Sequence, residues 1–227
     1  LFNDLITESN NTEQYIINIY SHNFSDSSIL GDADSVMKEI RLNSLNTDIA
    51  YFNDIPEDIF FSVLVHEILH VFGLINTSGS KARDYNIVNY SESSPYYCGE
   101  NDGTNFYNSN YPNNVYFGAN GVNGYKKVLQ ENGVETNNLE NYFPIEDDYG
   151  CGTKRVHTEE NEVRVLKNSS GVNISYPVFV NEIITGFLND KNYLTEITTG
   201  LLKDIGFIIN DNSEYIKNTG IYVVINE

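Results

Sequence analysis

The chain has 227 residues, with 13 basic against 32 acidic side chains and a formal net charge of -19, a balance that argues against a nucleic-acid surface or an anionic membrane as partner. Forty per cent hydrophobic residues, including 17 Tyr and 12 Phe, exclude a disordered chain, and no apolar run approaches the length of a membrane span. A chain of this length can bury a sizeable core, as one large domain or as two lobes sharing a cleft, and it carries no internal repeat.

Leu1 to Thr12 reads as a polar tail, and no charged-then-apolar leader precedes it, so any export signal has been removed or lies outside. Tyr15 to Tyr20 has the β-branched and aromatic composition of a strand, followed by a polar turn from His22 to Ser28 that makes His22 a surface residue. Ile29 to Asp34 reads as a turn. Its Asp32 and Asp34 could contribute to a calcium site but lack a full loop of ligands around them. Val36 to Leu42 alternates as a strand, with Val36, Lys38, Ile40 and Leu42 on one face.

The next segment carries the chemistry. Asp54 as cap, Pro56 in the first turn, and Glu57 and Asp58 at the positive end of the dipole start a helix that Gly73 closes. Ile59 to Phe72 is apolar on nearly every side, so the helix crosses the interior, yet it contains His66, Glu67 and His70. Unpaired, such groups would cost on the order of 1–3 kcal/mol each. Histidines four apart lie one above the other and can share a zinc ion, while Glu67 is placed to act on a zinc-bound water rather than to ligate. A chance HExxH in a chain of this size has odds of roughly one per cent.

Asn76 to Asn114 is rich in Ser, Asn, Gly, Asp and Tyr, and reads as a long polar insertion that is functional or mobile. Helical spacing returns over Asn120 to Asn132. Tyr142 to Glu146 is extended, Gly150 to Thr153 is a turn before His157, and Thr195 caps a helix carrying Ile197, Leu201, Leu202 and Ile205 that Gly206 ends. Strands at Phe207 to Ile209 and Ile221 to Ile225 finish the chain. Cys98 and Cys151 belong to no CxxC pair and fit a single disulfide better than a metal knot. Sequons at Asn10, Asn23, Asn76, Asn89, Asn168 and Asn173 also permit an exported protein, secreted or displayed on the cell surface.

His66, Glu67, His70 and Gly73 match the HExxHxxG start of the metzincin signature, but the next ligand position is Asn76. The chain resembles the leishmanolysin-like branch of the metzincins, in which a long insertion separates that glycine from a distant histidine. Tyr116 to Asn120, Phe143 to Glu146, Gly150 to Thr153, His157 with Glu160, Asn181 to Gly186 and Leu194 to Phe207 are similar to successive segments of that branch. The likeness covers about Ile29 to Asn210. It implies an α+β, two-lobed zinc peptidase fold: an upper lobe over 1–75, a polar insertion over 76–115 and a lower lobe over 116–227, forming a single catalytic domain.

The resemblance also implies His157 as third ligand, the histidine that remains after the two on the helix and the surface residue His22. It places Ile184 where the branch carries the methionine of its Met-turn, a hydrophobic floor to the site. It makes the strand of Val36, Lys38, Ile40 and Leu42 the edge on which an extended substrate is laid. The expected activity is zinc-dependent endopeptidase cleavage of proteins or peptides with Glu67 as base. The competing expectations are a non-enzymatic module that keeps zinc to join its lobes, and a calcium-binding adhesive surface built on Glu146-Asp147-Asp148 and Asp32 with Asp34.

Overall fold

The computed structural model, which describes residues 5–9, 16–26, 28–44, 57–75, 88–89, 109–147, 153, 157–160, 162–187, 189 and 191–225, is organised around helix α1 (Glu57–Val71). The helix is apolar on most of its circumference because two cores share it. Val65, Leu69 and the following Phe72 enter the larger core with Leu129, Phe143, Ile184 and Leu201. Val63 and Val71, flanked by the partly buried Phe60, Leu64 and Ile68, pack with Ile40 and Leu42 in the smaller one. Each fully buried aliphatic side chain stabilises by about 1.5–3 kcal/mol relative to exposure, so both cores hold the helix in place. The helix closes at Gly73, whose φ of 90° is joined by bonds from Gly73 N–H to His70 O (2.9 Å) and from Leu74 N–H to Leu69 O (3.3 Å). This is a Schellman closure, and it places the turn after the second histidine with no freedom to fray. The capping residues Asp54 and Pro56 lie outside the described residues.

The smaller core belongs to a three-stranded sheet of β2 (Asn18–His22), β3 (Gly31–Asp34) and β4 (Glu39–Asn43) in the order β2-β4-β3. Strand β2 runs parallel to β4 from Asn18 opposite Glu39 to His22 opposite Asn43, and β3 is antiparallel, with Gly31 opposite Leu42 and Asp34 opposite Glu39. Two sequence expectations are corrected here. Residues 29–34 are not simply a turn, and Val36 to Leu42 is not one strand. The turn lies at 35–38, because the Asp34 side chain accepts the N–H groups of Val36 (2.9 Å) and Met37 (2.8 Å) and Lys38 is left-handed at φ 57°. Val36 and Lys38 therefore sit in the turn, and Ile40 and Leu42 point from the central strand into the small core. The antiparallel edge is β3. Lys38 reaches back to bond the Val71 carbonyl (3.2 Å), a cation at the negative end of α1.

The larger core is walled by helices α2 (Ala119–Glu131) and α3 (Glu196–Asp204) and by short strand pairs. Within the polar insertion, β5 (Val88–Asn89) pairs with β6 (Val115–Tyr116), itself paired with β7 (Phe143–Pro144). A hairpin of β8 (Arg164–Lys167) and β9 (Asn173–Tyr176) follows, and β10 (Val178–Phe179) pairs with β12 (Val223–Val224). Strand β1 (Ile6–Ser9) pairs with β11 (Phe207–Ile209), and Leu5 is buried in the larger core, so residues 5–9 pack with elements late in the sequence and not with the three-stranded sheet.

Helices α2 and α3 cross backbone to backbone: a Cβ on Gly124 would overlap the Glu196 carbonyl, and one on Gly200 would overlap that of Asn120. Asp204, at the end of α3, caps α2 by accepting the N–H groups of Asn120 (3.0 Å) and Gly121 (2.8 Å), together with the Tyr116 hydroxyl (2.9 Å). Of the sequons, Asn89 is fully buried, with its amide donated to the carbonyls of Tyr111 and Pro112, so it is not an exposed acceptor. Cys98 and Cys151 lie outside the described residues.

Candidate metal centre

His66 and His70 project from α1, and His157 comes to them from a segment 87 residues further along the chain than His70. The three Nε2 atoms form a near-equilateral triangle: 3.0 Å from His66 to His157, 3.0 Å from His70 to His66 and 3.1 Å from His70 to His157. His157 and His70 are buried and His66 is partly so. Because an amide carbonyl can only accept, the partners of the opposite ring edges decide where each proton sits. His66 donates from Nδ1 to Ile183 O (2.7 Å), and His157 from Nδ1 to Thr153 O (2.8 Å). Nδ1 is thus protonated in His66 and His157, and their bare Nε2 lone pairs converge with the Nε2 of His70.

Neutral rings are also what the surroundings favour. Burial lowers His66, lowers His70 well below its ordinary value with the adjoining His66 and His157 adding to it, and brings His157 down to about 3. The bare Nε2 lone pairs of His66 and His157 converge at 3.0 Å, and they repel one another unless a cation lies between. The donor set fits zinc: bonds of about 2.0–2.1 Å in a tetrahedron need nitrogens about 3.3 Å apart, a few tenths of an ångström wider than the triangle seen here. The carbonyls behind His66 and His157 are the outer partners that a metal-bound imidazole needs to hold its tautomer and ring plane.

Glu67 follows His66 on α1 and is buried; burial, reinforced by the charge of Asp32, raises it to about 8. It packs over β3, since a Cβ built on Gly31 would lie 3.3 Å from Glu67 Oε1. His22 is at the exposed end of β2 with its ring edge against Phe24, and it is not among the clustered metal-ligating side chains. Gly73 closes the ligand helix as expected, and Ile184 is fully buried within the larger core.

Sequence reasoning missed the supports. Ile183 and Thr153 act through carbonyls, which no side-chain pattern announces. Glu160, 3% exposed, is raised by burial to about 8 in spite of its bond to Thr185. Glu182, with no exposed surface, is raised by burial to about 7 against bonds from Thr198, Ile184 and Thr195.

The acidic groups considered for calcium do not assemble as the sequence pairs them. Asp32 is held by Arg41 through both guanidinium donors (2.7 and 2.6 Å), and Asp34 caps the 35–38 turn. Asp148 lies outside the described residues. Glu146 and Asp147 meet Glu159 instead, and Arg164 lies against Asp147 and, at 3.6 Å, Glu159, supplying a cation of the protein's own.

No helix among the described residues is long and apolar enough to cross a membrane. No protein-family model matches the chain, and no curated protein matches its sequence, so the reading of this centre rests on its own geometry.

Proposed function

We propose that the chain is a zinc-dependent endopeptidase whose metal is held by His66, His70 and His157. The observation that carries the reading is the triangle of histidine Nε2 atoms 3.0–3.1 Å apart, with Glu67 buried next to His66 on the same helix. Three protein ligands leave a fourth position of tetrahedral zinc for water or substrate, whereas a purely structural zinc is closed by four and has no need of a neighbouring base. When bound, zinc supplies Lewis-acid chemistry to a peptide carbonyl and to water.

The chain's own residues do the rest. Glu67 accepts the proton of the attacking water and passes it to the leaving amine, and its buried position makes it a stronger base than an exposed carboxylate. Substrate would add as an extended strand to β3, the antiparallel edge, whose Gly31 approaches Glu67 closely enough to bring a scissile bond to the base. An exported location, secreted or at the cell surface, is part of the same proposal and rests on the two cysteines and the sequons.

The direct test is hydrolysis of an unfolded protein substrate by the purified chain, before and after a chelator and again after zinc is returned. Activity should vanish and come back. Glu67→Ala should keep near-stoichiometric zinc while losing roughly 10²–10⁴-fold in rate, the range for a lost general base. Chelator-resistant cleavage, or undiminished turnover by Glu67→Ala, would sink the proposal.

A further inference from the structure

The turn from Glu182 to Thr185 touches the segments that carry two of the three histidines. Ile183 O accepts the Nδ1 proton of His66 (2.7 Å), and Ile184 O accepts the N–H of Thr158 (3.1 Å), the residue after His157. Two successive carbonyls of one short turn therefore fix the ring plane of one ligand and the backbone that presents another.

The turn is itself held by a side chain that hydrolysis does not use. Glu182 has no exposed surface, and its Oε2 accepts the N–H of Ile184 (2.7 Å). Its Oε1 accepts the hydroxyls of Thr195, at 3.1 Å, and of Thr198. Thr195 is the N-cap of α3 and accepts the Ile197 N–H (3.0 Å), and Thr198 lies in the first turn of the same helix. The outer side of the turn is braced by Ile183 N–H to Tyr193 O (2.8 Å), and the Glu182 carbonyl takes the Thr185 hydroxyl (2.8 Å). An apolar residue at 182 would leave one amide and two hydroxyls without their buried acceptor, so packing alone does not explain an acid there.

We infer that Glu182 is a positioning residue of the metal centre, which fixes His66 and His157 by tying the turn that orients them to the start of helix α3. The inference rests on the zinc reading above, and its test separates the two.

The measurements are zinc affinity by competition with a chromophoric chelator and the visible spectrum of the cobalt(II)-substituted protein, which reports ligand geometry without turnover. Glu182→Ala should weaken zinc binding ~10–100-fold, the usual effect of losing an outer partner of a ligand, and should shift the cobalt bands. Glu182→Gln should restore most of both, because its carbonyl can accept from Ile184 while its amide donates to the two threonine hydroxyls. Leu202→Ala, which removes a buried α3 side chain without touching these hydrogen bonds, should lower Tm and leave affinity and spectrum unchanged.

If Glu182→Ala does not fold, Thr198→Val carries the test, with a smaller loss of affinity and a band shift in the same direction. Wild-type affinity and spectrum in Glu182→Ala, or in Thr198→Val where the alanine variant cannot be purified, overturn the inference alone. So does a loss in Leu202→Ala equal to that in Glu182→Ala. A wild-type protein that binds neither zinc nor cobalt overturns the zinc reading and the inference with it.

Discussion

At the scale of single residues, the four histidines divide into three that share a point and one that does not. His157 supplies one corner of the triangle, with Nε2 at 3.0 and 3.1 Å from its neighbours, while His22 stands at the exposed end of β2. Removing a corner leaves two imidazoles, a far poorer zinc site. His157→Ala should therefore weaken zinc binding by orders of magnitude in isothermal titration or chelator competition, with His22→Ala indistinguishable from wild type; the reverse result would remove His157 from the site. His157 could be expected beside the helix histidines because its segment resembles the one that brings a distant histidine to them, and the structure does bring the three together. Why Glu182 could not be assigned is equally physical. Its role is exerted through hydrogen bonds to backbone and hydroxyl groups far apart in sequence, and a lone glutamate beside an asparagine carries no mark of being buried.

At the scale of elements, long periodic segments with their own start and stop residues were legible, and segments fixed by tertiary pairing were not. Helices α1 and α3 were readable because each stretch is bounded by a capping or breaking residue, and α2 because its apolar residues keep helical spacing. Strand β11 was readable as an unbroken apolar run. The β3–β4 hairpin was misplaced because Gly31-Asp32-Ala33-Asp34 has the composition of a turn, and only pairing with β4 and burial against α1 make it a strand. The edge strand shifted with it.

Gly73 offers an element-scale test. At φ 90° any side chain is strained, so Gly73→Ala should cost about 1–2 kcal/mol, or roughly 2–8 °C in Tm for a chain of this size; an unchanged Tm by calorimetry would refute the role given to this closure. The insertion offers another. Cys98 and Cys151 are expected to form a disulfide, stabilising by ~4 kcal/mol on the loop-entropy argument, and mass spectrometry of the denatured, non-reduced protein should find no free thiol.

At the scale of the whole molecule, buried ionisable groups set how stability responds to pH when no metal is bound. The three histidines are lowered by burial, so below about 6.5 the unfolded chain binds protons that the folded chain refuses, and stability falls as pH falls. Glu67, Glu160 and Glu182 are raised to about 8, 8 and 7, so above about 4.5 the folded chain holds protons that the unfolded chain has released, and stability falls as pH rises toward 8. The two trends oppose each other between about 4.5 and 6.5. Metal-free protein should therefore have its highest Tm in that window, with declines toward pH 8 and below 4.5; a Tm that climbs steadily from pH 5 to pH 8 would contradict this balance.

Helix α1 joins the two cores into one cooperative unit. Because Val65 and Leu69 belong to one core and Val63 and Val71 to the other, neither core has a complete wall without α1. Amide hydrogen exchange along the middle of that helix should then proceed only through global opening, at rates matching those of the slowest amides in α2, because no partial unfolding can release one side of it while the other stays native. For the same reason the chain should resist being made in halves. A fragment ending just past Gly73 would carry a bare apolar stripe into solvent, and its complement would present an open trough, so separately expressed pieces should aggregate and regain structure only when refolded together.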